Sequence, residues 1–384
     1  MYVFKKKRSI YLAKVFDFIG SAVFYPFGLK RAGLPEKVRN ILVIRPDGIG
    51  DVMFSTPLYE ALKKRYPDAN LTVLVSAYTK DILEMNPYVD NLLVLRNTWF
   101  TANKRTKYSE ILSMLWNIRE KNFDIGIDLR GDVRNILLML FGKVSYRVGY
   151  GITGGGFLLN KMLSYEKDIH EVDRNLKLIK ELDCSVVNRR LQIYYSQADK
   201  ESILNLLERE HVGKNDILLA VHMETGYPSK LWKTDRFVQL LQEMNKRDYG
   251  KIVLVGEGKN VNGFHNVHGR LGFNYINTIG KLSISKLAVL LERCAVLISC
   301  DSGPVHVATA VGIPCIVLFS GTNNVKQWGP FGNINRVIYK DVECSPCEMR
   351  VCPRDTHLCM DMIKVEDVLC ELKTIFESTV GVVK

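Results

Sequence analysis

A chain of 384 residues is long enough for two domains of ordinary size, and its 47% hydrophobic and 24% charged content is that of a globular protein. A formal net charge of +12 implies an anionic partner such as nucleic acid, a membrane surface or a phosphorylated substrate, the plainer alternative being a soluble protein with a basic face. No apolar run reaches the ~20 residues of a membrane-spanning helix, and nine cysteines, an odd number in a large chain, exclude a disulfide scaffold and point to a reducing, cytoplasmic setting.

Residues 1–37 form a basic, aromatic extension. Nine Lys or Arg between positions 1 and 39 stand against Asp17 and Glu36, interleaved with Tyr11, Phe16, Phe18, Phe24 and Phe27. The run lacks the clean apolar core and small-residue cleavage site of a secretory signal. It suits either an anionic membrane surface, placing the protein on the inner face of the cytoplasmic membrane, or a helix packed on the body of the protein.

The body begins near Val38. Ile41 to Ile44 reads as a strand, followed by the glycine-rich loop Arg45-Pro46-Asp47-Gly48-Ile49-Gly50-Asp51. A helix follows, and Pro57 either opens it or kinks it after an earlier start at Asp51. Strands are predicted at 71–76, 92–95 and 125–129, with helices over 111–118 and 135–140. This β/α alternation is the doubly wound pattern. A polar connection near 191–198 closes a domain of residues 38–198. A second series over 199–364 has strands at 217–222, 251–255, 296–300 and 315–319. Its helix over 235–246 carries Phe237, Leu240, Leu241 and Met244 in one stripe, with Thr234 as its cap. An amphipathic helix occupies the last segment, 365–384.

Three loops at strand ends carry polar chemistry. Asp51 stands at a helix start, where a carboxylate either caps the helix or acts as a general base on a hydroxyl. Thr225, Gly226, Ser229 and Lys230 offer donors and a mobile cation that fit a diphosphate. Glu257, in the turn Gly256-Glu257-Gly258, could accept from ribose hydroxyls. The stretch 296–319 is one βαβ unit. Asp301-Ser302-Gly303-Pro304 opens a helix whose free N–H groups favour an anion, Pro304 suits the first helical position, and His306 stands beside them. Cys344, Cys347, Cys352 and Cys359, with His357 nearby, have plausible spacing for zinc, although the second half is irregular and packing or redox chemistry would account for it as well.

In order and spacing, Arg45-x5-Asp51-Val52 with Pro57, His222-x2-Thr225-x4-Lys230-x-Trp232, Gly256-Glu257, Asp301-Ser302-Gly303-Pro304-x-His306 with Gly312-x-Pro314, and Trp328-Gly329-Pro330 resemble the family 9 glycosyltransferases, the heptosyltransferases of lipopolysaccharide core assembly. The resemblance implies an α/β fold of GT-B architecture: two facing Rossmann-like doubly wound domains with an interdomain cleft. It implies inverting transfer of a heptose-like sugar from a nucleotide diphosphate donor, ADP-heptose-like, to an anionic cell-envelope glycolipid, with no cofactor or metal required. By that analogy Asp51 is the base. Thr225 and Lys230 hold the diphosphate, Glu257 the ribose and Asp301 the donor sugar. Ser302 and Gly303 bind phosphate or sugar oxygens, with His306 behind them. Arg45 and Arg130 would contact the acceptor. The extension 1–37 precedes the usual start of the family. A sugar-nucleotide epimerase of the same fold is the alternative, then a non-catalytic basic binding protein. No nucleic-acid module is visible, and Gly48-Ile49-Gly50 lacks the third glycine of a dinucleotide fingerprint.

Overall fold

The computed structural model describes residues 2, 7–24, 33–96, 107–186, 188–258, 267 and 269–380. The chain divides into two compact units, Met1–Arg189 and Arg190–Lys384.

In the first unit β1 (Asn40–Ile44), β2 (Asn70–Ser76), β3 (Asn91–Leu95), β4 (Ile125–Asp128), β5 (Tyr146–Gly149) and β6 (Lys161–Met162) form one sheet in the order β3-β2-β1-β4-β5-β6. All its pairings are parallel. Leu42, Val43 and Ile44 are buried on both faces of the sheet, as continuous apolar strands in a parallel sheet must be. The helices are α1 (Lys7–Phe24), α2 (Ile49–Met53), α3 (Thr56–Arg65), α4 (Tyr108–Glu120), α5 (Val133–Phe141) and α6 (Glu171–Lys180). Both readings of Pro57 are realised: a short helix carries Asp51, a break follows at Phe54-Ser55, and Pro57 sits in the first turn of the next helix. On one side of the sheet, Leu42, Ile44 and Leu74 pack with Met114 and Ile118 of α4, Ile136 and Met139 of α5, and Leu158 from a 3-10 turn at Gly156–Leu158.

The extension has structure of its own. Ala13 is buried, and the Asp17 carboxylate accepts from Gly155 N at 2.6 Å and from Tyr2 Oη at 2.6 Å. Phe16 meets Phe157 at 5.4 Å between ring centroids. Gly20 leaves room for that Phe157 ring, which a Cβ would contact. The packed-helix reading therefore holds for this face of α1, and no described helix is long and apolar enough to cross a membrane.

The second unit repeats the plan. β7 (Leu218–His222), β8 (Lys251–Val255), β9 (Ile276–Asn277), β10 (Val296–Cys300), β11 (Cys315–Phe319) and β12 (Arg336–Tyr339) form a sheet ordered β12-β11-β10-β7-β8-β9. Its pairings are again parallel. Helices α7 (Gln197–Arg209), α8 (Thr234–Lys246), α9 (Ile284–Glu292), α10 (Gly303–Val311), α11 (Val325–Trp328), α12 (Leu358–Asp361) and α13 (Val365–Val380) accompany it. The apolar stripe of α8 packs with Trp232 and with Val368, Leu372 and Ile375 of α13 in one core. Thr234 is not the cap of α8. The helix already includes it, Lys233 holds the cap position without a side-chain bond, and Asp235 in the first turn supplies the charge that suits this end. The 296–319 unit forms as read, with one shift. Ser302 holds the cap position of α10 without a side-chain bond to it, and Pro304 is its second residue, where a missing N–H is equally harmless. Gly312 ends the helix at φ 85°, a left-handed conformation that glycine adopts without strain.

Each unit is thus a Rossmann-like doubly wound fold, as expected. In both, the first and fourth strands lie side by side where the strand order reverses. Ligands of open α/β sheets bind at the carboxyl ends of strands at that point. Arg45 follows β1 and Asp128 ends β4; His222 ends β7 and Asp301 follows β10.

Candidate functional site

The first unit places a buried guanidinium at its reversal point. Arg45 is 1% exposed. Its Nη2 donates to Asp51 Oδ1 and to Glu171 Oε1, both at 3.0 Å. Its Nη1 donates to Leu129 O at 3.1 Å, its Nε to Asp51 O at 3.1 Å, and Asp47 Oδ2 lies 3.5 Å from Nε. Burial alone would lower the Arg45 pKa, but Asp51, Asp47 and Glu171 outweigh it and raise it. A cation this deep is tolerable only because it is so fully paired. Glu171 is held in turn by buried Arg174, whose Nη1 donates to Tyr165 Oη at 2.8 Å and whose guanidinium lies 4.0 Å from the Tyr165 ring centroid.

This geometry corrects one expectation. Arg45 does not reach outward toward an acceptor; it is buried, and its donors go to Asp51, Glu171 and Leu129 O. The Asp51 side chain, 27% exposed, has its second oxygen 3.3 Å from Gly48 N and is the part of the cluster open to solvent. Arg130, more exposed, pairs with buried Asp47. Burial raises the Asp47 pKa against the opposing pull of Arg130 and Arg45. Glu171 and Arg174 carried no motif in the sequence; only the fold brings α6 back beside the first loop.

Asp128 at the end of β4 is fully buried. It accepts from Asn135 Nδ2 at 2.9 Å and from Arg130 N at 3.2 Å, and its Oδ2 has no hydrogen-bond partner among the described residues. Burial, partly offset by the Asn135 bond, pushes its pKa up to about 7. Unfolded, the same carboxyl ionises near its ordinary value of roughly 4. The folded chain therefore holds an extra proton between the two values, and stability falls as pH rises through that window. Asp128→Asn is expected to flatten this slope by a few kcal/mol at most. Melting temperatures at about pH 5 and about pH 8 check it: the wild type loses more than the variant on going to the higher pH.

At the reversal point of the second unit, His222 Nδ1 lies 3.0 Å from Ser299 Oγ and 3.1 Å from Ser302 Oγ. Burial pushes the His222 pKa down to about 4, so the imidazole is neutral at neutral pH. Ser302 Oγ is thereby turned back to His222 and leaves the start of α10 without a side-chain cap. Lys230 Nζ meets Asp301 Oδ2 at 2.6 Å, and Asn323 Nδ2 donates to the same oxygen at 3.0 Å. The structure thus joins two residues read separately, and adds Asn323. Tyr227 lies beneath two cations, Lys230 and Arg350, each 5.6 Å from its ring centroid. Thr225 Oγ1 donates to Tyr227 O at 2.6 Å and so shapes this loop. His306 is buried on α10.

Glu224 was not visible as a site residue, yet its carboxylate fills the glycine-rich turn after β8. It accepts from Glu257 N at 2.7 Å and from Gly258 N at 3.0 Å. A Cβ on Gly256 would lie 2.7 Å from Glu224 Oε2, so a side chain there would push the carboxylate out of its place in the turn. The Glu257 side chain stays exposed at the rim.

The zinc alternative is not met. Cys344, Cys347, Cys352, Cys359 and His357 are all described, and no described group of three or more such side chains could hold a metal ion. Cys359 is buried in the second core instead, and His357 Nε2 lies 2.8 Å from Ser229 O. The cysteine segment works as a strap: Ser229 N donates to Arg350 O at 3.2 Å, Ser229 Oγ to Met349 O at 2.6 Å, and Glu348 N to Thr322 O at 2.9 Å. It pins the loop that carries Lys230.

A family model described as glycosyltransferase family 9 (heptosyltransferase) matches residues 111–357, more than half of the chain. Lipopolysaccharide heptosyltransferase 3 of Escherichia coli is 24% identical over 291 residues, 74% of this chain and 84% of that protein. Among solved structures, a family 9 glycosyl transferase from Veillonella parvula DSM 2008 superposes with a TM-score of 0.78 at 20% identity, covering 90% of this chain and 100% of that one. The Escherichia coli ADP-heptose lps heptosyltransferase II gives 0.70 at 21% identity, covering 88% and 99%. These likenesses show the fold, and the family match shows the kind of enzyme: the chain belongs to glycosyltransferase family 9, the heptosyltransferase family.

Proposed function

We propose that this glycosyltransferase moves a heptose-like sugar, with inversion, from a nucleotide diphosphate donor such as ADP-heptose to a hydroxyl of an anionic cell-envelope glycolipid of the lipopolysaccharide core type. The names of its relatives support the sugar and the acceptor class. The observation that carries the chemistry is the Arg45–Asp51 pair, a carboxylate fixed by a buried cation and still open to solvent on its other side.

In this reading Asp51 takes the proton of the acceptor hydroxyl as its oxygen forms a bond to the anomeric carbon. The bond from that carbon to the diphosphate oxygen breaks on the opposite face, through an oxocarbenium-like state, and the nucleoside diphosphate departs. Arg45 and Glu171 are positioning residues that hold Asp51 in one orientation. Lys230 leaves Asp301 for the donor diphosphate, which frees Asp301 for sugar hydroxyls. The uncapped start of α10, at Ser302 and Gly303, adds backbone donors and the positive helix end. In the same reading Thr225 frames the diphosphate loop, Glu257 would accept from the ribose hydroxyls, and Arg130 remains the candidate acceptor contact. With Lys230 and these donors countering the leaving charge, no metal is required.

A thermal-shift panel of nucleotide sugars tests the donor half, because a ligand of the folded state raises its melting temperature. ADP-heptose is expected to stabilise the wild type, and Lys230→Ala to weaken its binding roughly 10- to 100-fold. Unchanged affinity in the variant would remove Lys230 from the donor site.

A further inference from the structure

α1 presents its apolar side to solvent. The face turned inward carries Ala13, Asp17 and Gly20; the opposite face carries Tyr11, Val15, Phe18 and Ile19. Phe18 is 77% exposed and Tyr11 67%. A surface helix ordinarily turns such a stripe to the core and its charges outward, so this one is built for a partner.

A second helix of the same unit repeats the pattern. α4 buries Met114 and Ile118 in the core, yet Tyr108, Leu112 and Trp116, spaced four residues apart, remain outside at 87%, 56% and 61% exposure. α1 packs on the Gly156–Leu158 turn, that turn on α5, and α5 on α4, so the two helices are linked through successive neighbours of the same unit.

The charges beside these stripes choose the partner. Arg8 and Lys14 are exposed on α1, and Lys107 and Arg119 at the two ends of α4. Asp17 is turned inward onto Gly155 N, and Glu110 accepts from Arg96 N at 2.6 Å. Among the described residues of α1 and α4, Glu120 is then the acidic side chain left exposed. Aromatic and aliphatic side chains flanked by cations, in a chain of net charge +12, match a bilayer with anionic phosphate headgroups. We infer that α1 and the outer stripe of α4 form a docking surface for an anionic membrane, with α1 lying in the plane of the interface. The surface stands apart from the proposed transfer chemistry, because none of these residues is among the candidate site residues of either unit.

Co-sedimentation of the full chain with vesicles tests it. Binding is expected to vesicles of equal parts phosphatidylcholine and phosphatidylglycerol, to weaken as salt is raised, and to be far weaker on phosphatidylcholine alone. The double variant Phe18→Ser/Ile19→Ser should lose roughly tenfold or more in vesicle affinity, and Leu112→Ser/Trp116→Ser should lose affinity independently. Arg8→Glu/Lys14→Glu should abolish the preference for the anionic vesicles. Circular dichroism and the ADP-heptose thermal shift should be unchanged in the surface variants, which separates failure of docking from failure of the donor site. A wild type that ignores anionic vesicles would overturn the inference. So would a concentration-dependent dimer that the Phe18/Ile19 variant dissolves, since the face would then be covered by a second copy of the chain.

Discussion

Asp51→Asn is expected to lower kcat by roughly 10²–10⁴-fold while leaving the donor dissociation constant within about twofold of the wild type. Asn keeps an oxygen that can accept from Arg45 Nη2, so the loop between β1 and α2 should hold its shape. What it loses is the capacity to take a proton. Asp51 and the residues proposed to bind the donor belong to different units of the chain, so loss of the proposed base need not reach the donor. Steady-state kinetics beside calorimetric titration of the donor separate the two quantities. Turnover near the wild-type rate would remove Asp51 as base. A parallel loss of donor affinity would indicate that the substitution acts on the fold instead.

Arg45→Met should act more broadly. It removes the one cation shared by Asp47, Asp51 and Glu171, and Asp47 and Glu171 are as buried as the arginine. Breaking a buried ion pair from one side costs about 3–5 kcal/mol, and the lower end applies here, because Asp47 keeps Arg130 and Glu171 keeps Arg174 while Asp51 loses its cation. A fall in melting temperature of roughly 10 °C follows. The sign with pH is informative. Carboxylates stripped of their cation are relieved by protonation, so the gap between variant and wild type should narrow in acid and widen above neutrality. Equal destabilisation across that range would mean that the arginine contributes packing rather than charge. Because Asp51 also loses its anchor, kcat should fall with it.

Local pattern carried much of this molecule. The βαβ unit around Asp301 could be read residue by residue, because an apolar run, a helix-starting tetrad and a Gly-x-Pro stop are each short-range signals. The doubly wound fold followed from the alternation of such runs. β6 and β9, two residues each, left no periodicity to detect.

Pairing was harder to read, because it depends on topology. Arg45 and Glu171 lie 126 positions apart and meet only once α6 returns to the first loop. Glu224 gave no sign that it would fill the Gly256–Gly258 turn. Lys230 and Asp301 were both marked, but nothing local said that each would neutralise the other. The α1 stripe was legible as apolar and basic, whereas which side faces out depends on Gly20, Ala13 and Asp17 finding the Phe157 turn.

Product analysis tests the central claim most directly. Wild-type protein would be incubated with ADP-heptose and a lipopolysaccharide core acceptor lacking heptose, and the product followed by mass spectrometry with nuclear magnetic resonance at the new anomeric centre. The account predicts an acceptor heavier by one sugar residue, an inverted anomeric configuration, stoichiometric nucleoside diphosphate, and an unchanged yield in the presence of EDTA. A donor sugar that is isomerised without transfer, or a product with retained configuration, would contradict it.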